Sequence, residues 1–581
     1  MKKFVDESGR FISLRNCPFG RRGSYLAFHT TGEECFGRAY VYLASCHGIT
    51  NQTKKSKMFN IQPTYEGDRV PYATIVKPEE LILRTLYGDI RICIAERKLI
   101  LFKGENGLGV RFATTTEQFD RITKPRGKDA WETQFSSACT TVIHPIKGKI
   151  EANAPWHWDL LRCGICTIDL LPDENGEMLG SLEEFKHSGF VRKSYPTFEE
   201  GLETVKKDYG TFLNNIPKLP GKYEVLRERA AYNLWSYLVG AEGYIKRDLL
   251  FMHRQSPTSQ WQTTYQAIAF GNNIKLGWDQ MLASFDHQCE ETGQLPDVYS
   301  DTWGAFFATR PPIHGWALKM LKQMGYYQQL TLEEIADFYP KLARWADWFG
   351  EYRTDGVDGL PHYEHPDESG MEDGSTFRES CCMVTPDLPA YLVLLFEELG
   401  EMAEQLNMDP SVKEGWLKKA ADIQALLIEK LWDGERFVSH TLEGKEIKRD
   451  YGILGYMPVL LGKRLPEEIL NKLVSELKIE GYILSDYGFD KEKMCAKDLC
   501  DVGHNGVRGF IYHPFNVMLI SALHDIGEVE FASEVAKRYC DTMVEAGDLC
   551  QSITSFRPAM PGEYLSWTAG AYLLIAGYIK E

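Results

Sequence analysis

From about residue 10 to 195 the chain runs in short β-rich segments separated by Gly, Asn, Asp and Pro. Examples are Tyr25 to His29, Ala39 to Leu43, Leu81 to Tyr87, Ile90 to Ala95 and Lys98 to Phe102. Regularly spaced strands with turn signals between them predict a β-sandwich. From about residue 222 the texture changes to long amphipathic stretches: Tyr223 to Val239, Leu332 to Tyr352, Leu388 to Leu406, Val412 to Leu431 and Glu528 to Val544. Shorter apolar stretches near 262–288, 312–325, 465–477, 514–526 and 565–579 add further helices, joined by loops of very unequal length. The segment Asn214 to Gly221 carries two prolines and a glycine and marks the boundary. The expected organisation is a β-sandwich-like domain over 1–213, a linker over 214–221 and a helical domain over 222–581. Many helices in succession suit a closed ring of hairpins or a solenoid, and no fixed sequence period supports the solenoid.

Length and composition narrow the class. At 581 residues with 44% hydrophobic content the chain exceeds one ordinary core. Its net charge of −17 and lack of Lys/Arg-rich runs argue against nucleic acid or an anionic membrane surface as partner. The two lysines after Met1 are followed by no apolar run, and no segment reaches the roughly 18 uncharged apolar residues a spanning helix needs. A cytoplasmic protein acting on a small or neutral ligand is expected, with the oligomeric state left open. Fourteen scattered cysteines without a secretory leader fit reduced, buried thiols. Cys163-Gly-Ile-Cys166 has redox spacing inside an apolar run, Cys381 and Cys382 are adjacent, and Cys495, Cys500 and His504 only loosely suggest zinc. No metal or organic cofactor is expected.

The strongest chemical signal is Asp367-Glu-Ser-Gly-Met-Glu-Asp-Gly-Ser375, four carboxylates around a Ser-Gly turn. It precedes an apolar run at helical spacing (Leu388, Tyr391, Leu392, Leu394, Leu395), which places it where a helix begins. Alone, such a loop also suits a solvated or calcium-binding turn. Four further clusters combine aromatic rings with polar groups: Gln260 to Tyr265; Asp301 to Trp303 with Arg310 to Trp316; Asn505 to Gly509; and Gly562 to Trp567. Aromatic faces that stack on sugar rings, beside groups that hydrogen-bond hydroxyls, make up sugar sites. Each cluster alone also fits core packing plus a turn.

In chain order these motifs resemble the inverting glycoside hydrolases of the trehalase, mannosylglycerate hydrolase and processing α-glucosidase group, which are built on a ring of six helical hairpins. Trp261-Gln-Thr-Thr-Tyr-Gln-Ala-Ile-Ala-Phe270 resembles the family's Trp-Asp-x-x-Phe-x-Ala-Leu-Ala. Arg310-Pro-Pro-Ile-His-Gly-Trp316 resembles its Pro-Pro-x-x-x-Trp, and Glu368-Ser-Gly-Met371 its Glu-Ser-Gly-Met/Trp-Asp. Pro386-Asp-Leu388, Val507-Arg-Gly509 and Leu565-Ser-Trp-Thr-Ala569 match further segments. The resemblance covers roughly 222 to 581. It implies an N-terminal β-sandwich followed by an (α/α)6 barrel, and a glycosidase that releases a terminal sugar from a small oligosaccharide or glycoside.

The resemblance implies a general acid at the Asp of Glu-Ser-Gly-x-Asp, where this chain has Glu372 with Asp373 beside it. A glycosidic oxygen leaves only when protonated, so either carboxyl would serve as its acid. Two positions depart from the family: Gln262 stands at its sugar-binding Asp and Gln551 at its catalytic base. An amide takes no proton from water at neutral pH. Another carboxylate, Glu563 or Asp301, is then expected to activate water, with Trp261, Gln262, Tyr265, Arg310, His314, Trp316, Arg508, Gln551 and Trp567 holding the sugar. The alternatives are phosphorolysis, with Arg310, His314 and Arg508 facing phosphate; proton abstraction by His253, His314, His504 or His513 in an isomerase, epimerase or lyase; or binding of carbohydrate without catalysis.

Overall fold

The computed structural model describes residues 12–31, 40–48, 57–125, 127–136, 138–254, 256–493, 511–550, 552–554, 557–560 and 565–580. Two compact units are present. The first comprises 1–214, 231–257 and 300–303, and the second 215–230, 258–299 and 304–581. The boundary after Asn214 falls within the expected linker of 214–221. The later segments 231–257 and 300–303 nevertheless belong to the first unit, so the chain passes between the units more than once.

The first unit holds two antiparallel sheets. In one, Phe19–Gly20, Leu26–Thr30, Val41–Ser45, Lys57–Tyr65, Leu108–Thr115, Ile165–Leu171 and Lys149–Asn153 lie side by side, with Asp68–Arg69 paired to Lys57–Tyr65. In the other the order is Arg121–Thr123, Trp131–Gln134, Thr140–Lys147, Met178–Phe185, Leu99–Gly104, Asp89–Glu96, Leu81–Arg84 and Ala73–Val76. Ile165–Leu171 alternates buried and partly exposed residues, whereas Leu26–Thr30, Leu81–Arg84 and Leu99–Gly104 are buried almost throughout. Phe102 of the second sheet meets Phe28 and Phe112 of the first, at centroid distances of 6.3 and 4.9 Å. Helix α1 (Phe198–Asn215) follows the sheets and buries Phe198, Leu202, Val205, Tyr209 and Phe212 along one stripe. The sequence reading left this helix inside the β-rich half.

Helix α2 (Glu224–Tyr237) begins in the second unit and ends in the first. In the second unit follow α3 (Gln260–Ala269), α4 (Ile274–Ala283), α5 (His314–Gln323), α6 (Leu332–Tyr352), α7 (Pro366–Ser369), α8 (Asp387–Gln405) and α9 (Pro410–Leu431). A 3₁₀ segment, Ile453–Arg464, precedes α10 (Glu467–Leu477), α11 (His513–Asp525), α12 (Val529–Ala546) and α13 (Ser566–Ala576). Helix α6 starts at a capping box: Thr331 Oγ1 accepts from the Glu334 N–H, and the Glu334 side chain accepts from the Thr331 N–H. Contacts run from α3 to α5, α5 to α8, α8 to the 3₁₀ segment, then to α11, to α13 and back to α3. Helices α4, α9, α10 and α12 pack outside this set, on α3, α8, the 3₁₀ segment and α11 respectively. Among the described residues no helix is long and apolar enough to cross a membrane, and no group of three or more His, Cys, Asp or Glu is placed to hold a metal ion. Cys163 and Cys166 are free and buried; Cys495, Cys500 and His504 lie outside the described residues.

Candidate active site

The acidic loop does not lead directly into α8. It forms the single turn α7, capped by the His365 side chain, and leaves it through Gly370 at φ 77°, in the left-handed region that favours glycine. Two of its four carboxylates are held by arginines. Glu368 is buried: its Oε2 accepts from Arg353 Nη1 at 2.8 Å and its Oε1 from Arg353 Nη2 at 3.0 Å. The backbone N–H groups of Thr309 and Glu364 donate to the same carboxylate at 2.9 and 2.7 Å. Asp367 accepts from Arg310 Nη2 at 2.8 Å, while the same guanidinium also bonds Asp297 and the Asp367 carbonyl. Burial pushes Asp297 above the usual carboxylate value, against the pull of Arg310. These two acids and two arginines fix the turn.

Glu372 and Asp373 are the carboxylates this clamp leaves partly exposed, and the Glu372 side chain is 31% exposed. Glu372 Oε2 lies 3.6 Å from Lys491 Nζ, and Lys491 also donates to the Gly370 carbonyl at 3.1 Å. The ammonium sits 4.2 Å from the centre of the Tyr512 ring. Burial drives the Lys491 ammonium below its usual value, and Glu372 and Asp373 oppose that. Tyr512 stands edge-on to Trp567 at 5.3 Å and to Phe515 at 5.1 Å, and Phe515 meets Trp261 at 6.1 Å. Downstream, the Glu492 carboxylate accepts from the Ser375 N–H. Asp450 accepts from Thr376 Oγ1 at 2.7 Å and Ser439 Oγ at 2.6 Å.

Other expected site residues lie beneath this surface. Gln262, Tyr265, His314 and Trp316 are buried on α3 and α5, with Tyr265 and Trp316 stacked at 6.3 Å. Gln262 Nε2 donates to Ser566 Oγ at 2.7 Å, while Gln262 Oε1 and Tyr265 Oη have no partner among the described residues. Burial takes His314 down to about 3, and it bonds Thr264 at 3.1 Å. His253 belongs to the first unit and falls to about 4 through burial and Arg254. His513 Nδ1 meets Tyr539 Oη at 2.6 Å. With values so low, the His314 and His253 rings are poorly suited to abstract a proton from carbon near neutral pH.

Asp301 is not available to activate water. It lies in the first unit, where its carboxylate meets His47 Nδ1 at 2.8 Å, the Gly48 N–H at 2.8 Å and Lys186 Nζ at 3.0 Å. Arg508, Gln551 and Glu563 lie outside the described residues. Sequence reasoning missed Lys491, Arg353 and Asp297 as site-building residues. It named Asp387 within the Pro386-Asp-Leu388 segment without giving it a site role; burial pushes this carboxyl at the start of α8 up to about 6 although Tyr363 Oη donates to it at 2.9 Å.

A partly exposed carboxylate on an ion-paired turn, flanked by aromatic rings at the ends of packed helices, is a construction suited to protonating a sugar's leaving oxygen. Residues 256–557, just over half of the chain, match the mannosylglycerate hydrolase MGH1-like glycoside hydrolase domain, and the chain belongs to this family and is a glycosidase. The GH63 mannosylglycerate hydrolase of Thermus thermophilus in complex with glucose resembles it with a TM-score of 0.50 at 18% identity, over 60% of this chain and 99% of that one. Neutral trehalase from Saccharomyces cerevisiae gives 0.47 at 13% identity, over 57% of this chain and 74% of that one. A sialidase gives 0.50 at 10% identity, over 95% of this chain and 60% of that one. A comparison with curated protein sequences found no match.

Proposed function

We propose that this glycosidase releases a terminal sugar from a small oligosaccharide or glycoside with inversion, at the mouth of an (α/α)6 barrel that follows a β-sandwich. The contact sequence from α3 through α5, α8, the 3₁₀ segment, α11 and α13 back to α3 supports the barrel. The facing phenylalanines support the sandwich. One observation carries the reading: Glu372 is presented on a turn whose Asp367 and Glu368 are ion-paired to Arg310 and Arg353.

Glu372 gives its proton to the glycosidic oxygen as the bond to the anomeric carbon breaks, and water enters from the opposite face. Asp373 adjoins it and is the second candidate acid. With Asp301 enclosed by His47 and Lys186, Glu563 is assigned the water's proton. Inversion requires the two carboxyls to stand about 6.5–9.5 Å apart. Arg310, Arg508, Gln551 and Trp567 hold the sugar over the buried support of Trp261, Gln262, Tyr265, His314 and Trp316.

The test is an NMR-monitored digest of α- and β-linked mannosides, glucosides and disaccharides, with and without phosphate. Free sugar of inverted anomeric configuration is expected. Release of the retained anomer overturns inversion, and a sugar phosphate formed only with phosphate overturns hydrolysis.

A further inference from the structure

Asp490, Lys491, Glu492 and Lys493 are four consecutive charged residues that read as a solvated run, yet all four are buried. Burying an ammonium is costly unless it is paired and hydrogen-bonded. The Lys491 side chain is 2% exposed, and its direct partners are the Gly370 carbonyl at 3.1 Å, the Glu372 carboxylate at 3.6 Å and the face of Tyr512 at 4.2 Å. Asp373 and Glu492 add negative charge nearby. A lysine whose nearest carboxylate is a partly exposed one that the arginines leave unpaired points to a role in what that carboxylate does.

We propose that Lys491 is a positioning residue for the acid step, setting the Glu372 carboxyl towards the leaving oxygen and stabilising the carboxylate that remains after proton transfer. The inference rests on Glu372 as the proton donor. In the step, the Glu372 O–H bond breaks and a new O–H bond forms on the glycosidic oxygen. That oxygen keeps the electron pair of the breaking bond to the anomeric carbon. Negative charge therefore develops on Glu372, and a fixed ammonium at 3.6 Å opposes it without reorganising in the transition state. The hydrogen bond to the Gly370 carbonyl holds the left-handed corner from which Met371 and Glu372 depart.

The experiment compares the full-length wild type with Lys491→Met, Lys491→Gln and Glu372→Gln on two classes of substrate. One is the set of glucosyl and mannosyl fluorides of both anomers, whose leaving group needs little protonation. The other is the set of matching alkyl glycosides, whose leaving group needs a full proton. Both Lys491 variants are expected to lose about 10²-fold or more in kcat on alkyl glycosides while holding most of their fluoride turnover, in parallel with Glu372→Gln. Lys491→Gln keeps a donor for Gly370, so its selective loss isolates the charge. Equal loss on both classes in the Lys491 variants, with selective loss in Glu372→Gln, overturns the role of Lys491 and leaves the acid assignment standing. No selective loss in Glu372→Gln overturns the acid assignment itself. A crystal structure of Lys491→Met gives a readout independent of turnover: displacement of the Glu372 carboxylate is expected, and an unmoved carboxylate overturns the positioning role.

Discussion

Arg353 and Glu368 form a buried, two-pronged ion pair, with both carboxylate oxygens facing guanidinium nitrogens at 2.8 and 3.0 Å. The pair anchors one end of the turn that presents Glu372. Breaking it from one side strands a charge away from water. Arg353→Met is therefore expected to destabilise the protein by about 3–5 kcal/mol, read as a lower midpoint of urea unfolding. Glu368→Gln keeps the shape and one acceptor oxygen, and Arg353 retains a second carboxylate partner in Glu364 at 3.2 Å, so its midpoint should fall less. Equal falls would show that loss of the charge pair alone accounts for the effect, and an unchanged Glu368→Gln midpoint would show that charge pairing is not what holds the turn.

Glu372→Gln keeps the size of the side chain and loses the proton donor. Turnover on alkyl glycosides is expected to fall about 10²–10⁴-fold with the far-ultraviolet circular dichroism unchanged. Near wild-type turnover would remove Glu372 as the acid and leave Asp373 as the next residue to replace.

Much of the helical half was legible because tertiary demand and local signal agree. Helix α6 spans Leu332–Tyr352, as its amphipathic run requires, and its Thr331–Glu334 capping box marks the start. The 3₁₀ segment Ile453–Arg464 was not legible, because Gly455, Pro458 and Gly462 interrupt any helical period. Glu372 was reachable through the Glu-Ser-Gly motif. Lys491 was not, since a run of four charged residues signals solvent and only packing against Tyr512 and Gly370 shows otherwise. Asp301 was assigned a water-activating role on the aromatic residue beside it in sequence. Its real partners, His47 and Lys186, lie 254 and 115 positions away, a pairing that no local pattern carries.

Trp567 is half-buried and stands 5.3 Å from Tyr512 near the presented carboxylate. A ring that only stacks on sugar contributes alike to ground state and transition state. Trp567→Ala is then expected to raise KM about two- to tenfold, in line with the loss of roughly 0.5–1.5 kcal/mol of aromatic contact, and to leave kcat within about twofold. The opposite split, a fall in kcat at constant KM, would give Trp567 a part in the transition state.

The His47 network of the first unit makes stability depend on pH in a direction that follows from its geometry. Burial alone would lower His47, but Glu184 at 3.4 Å and Asp301 at 2.8 Å outweigh it and raise the ring to about 9. Because the folded value lies above the unfolded one, near 6.5, this contribution is full below about pH 6.5 and is lost as pH rises through about 9. Burial would raise Glu184 and Asp301, yet His47 with Ser45, and His47 with Gly48 and Lys186, hold them below their ordinary values. Their contribution is present above the unfolded carboxylate range and is lost as pH falls through their folded values. The network should therefore stabilise most between about pH 5 and 6.5. His47→Gln is expected to lower Tm most near pH 6, with the gap to wild type narrowing by pH 10, measured as melting curves across that range. A gap that stays constant from pH 6 to 10 would mean that the charge on His47 contributes nothing to holding Asp301 and Glu184 together.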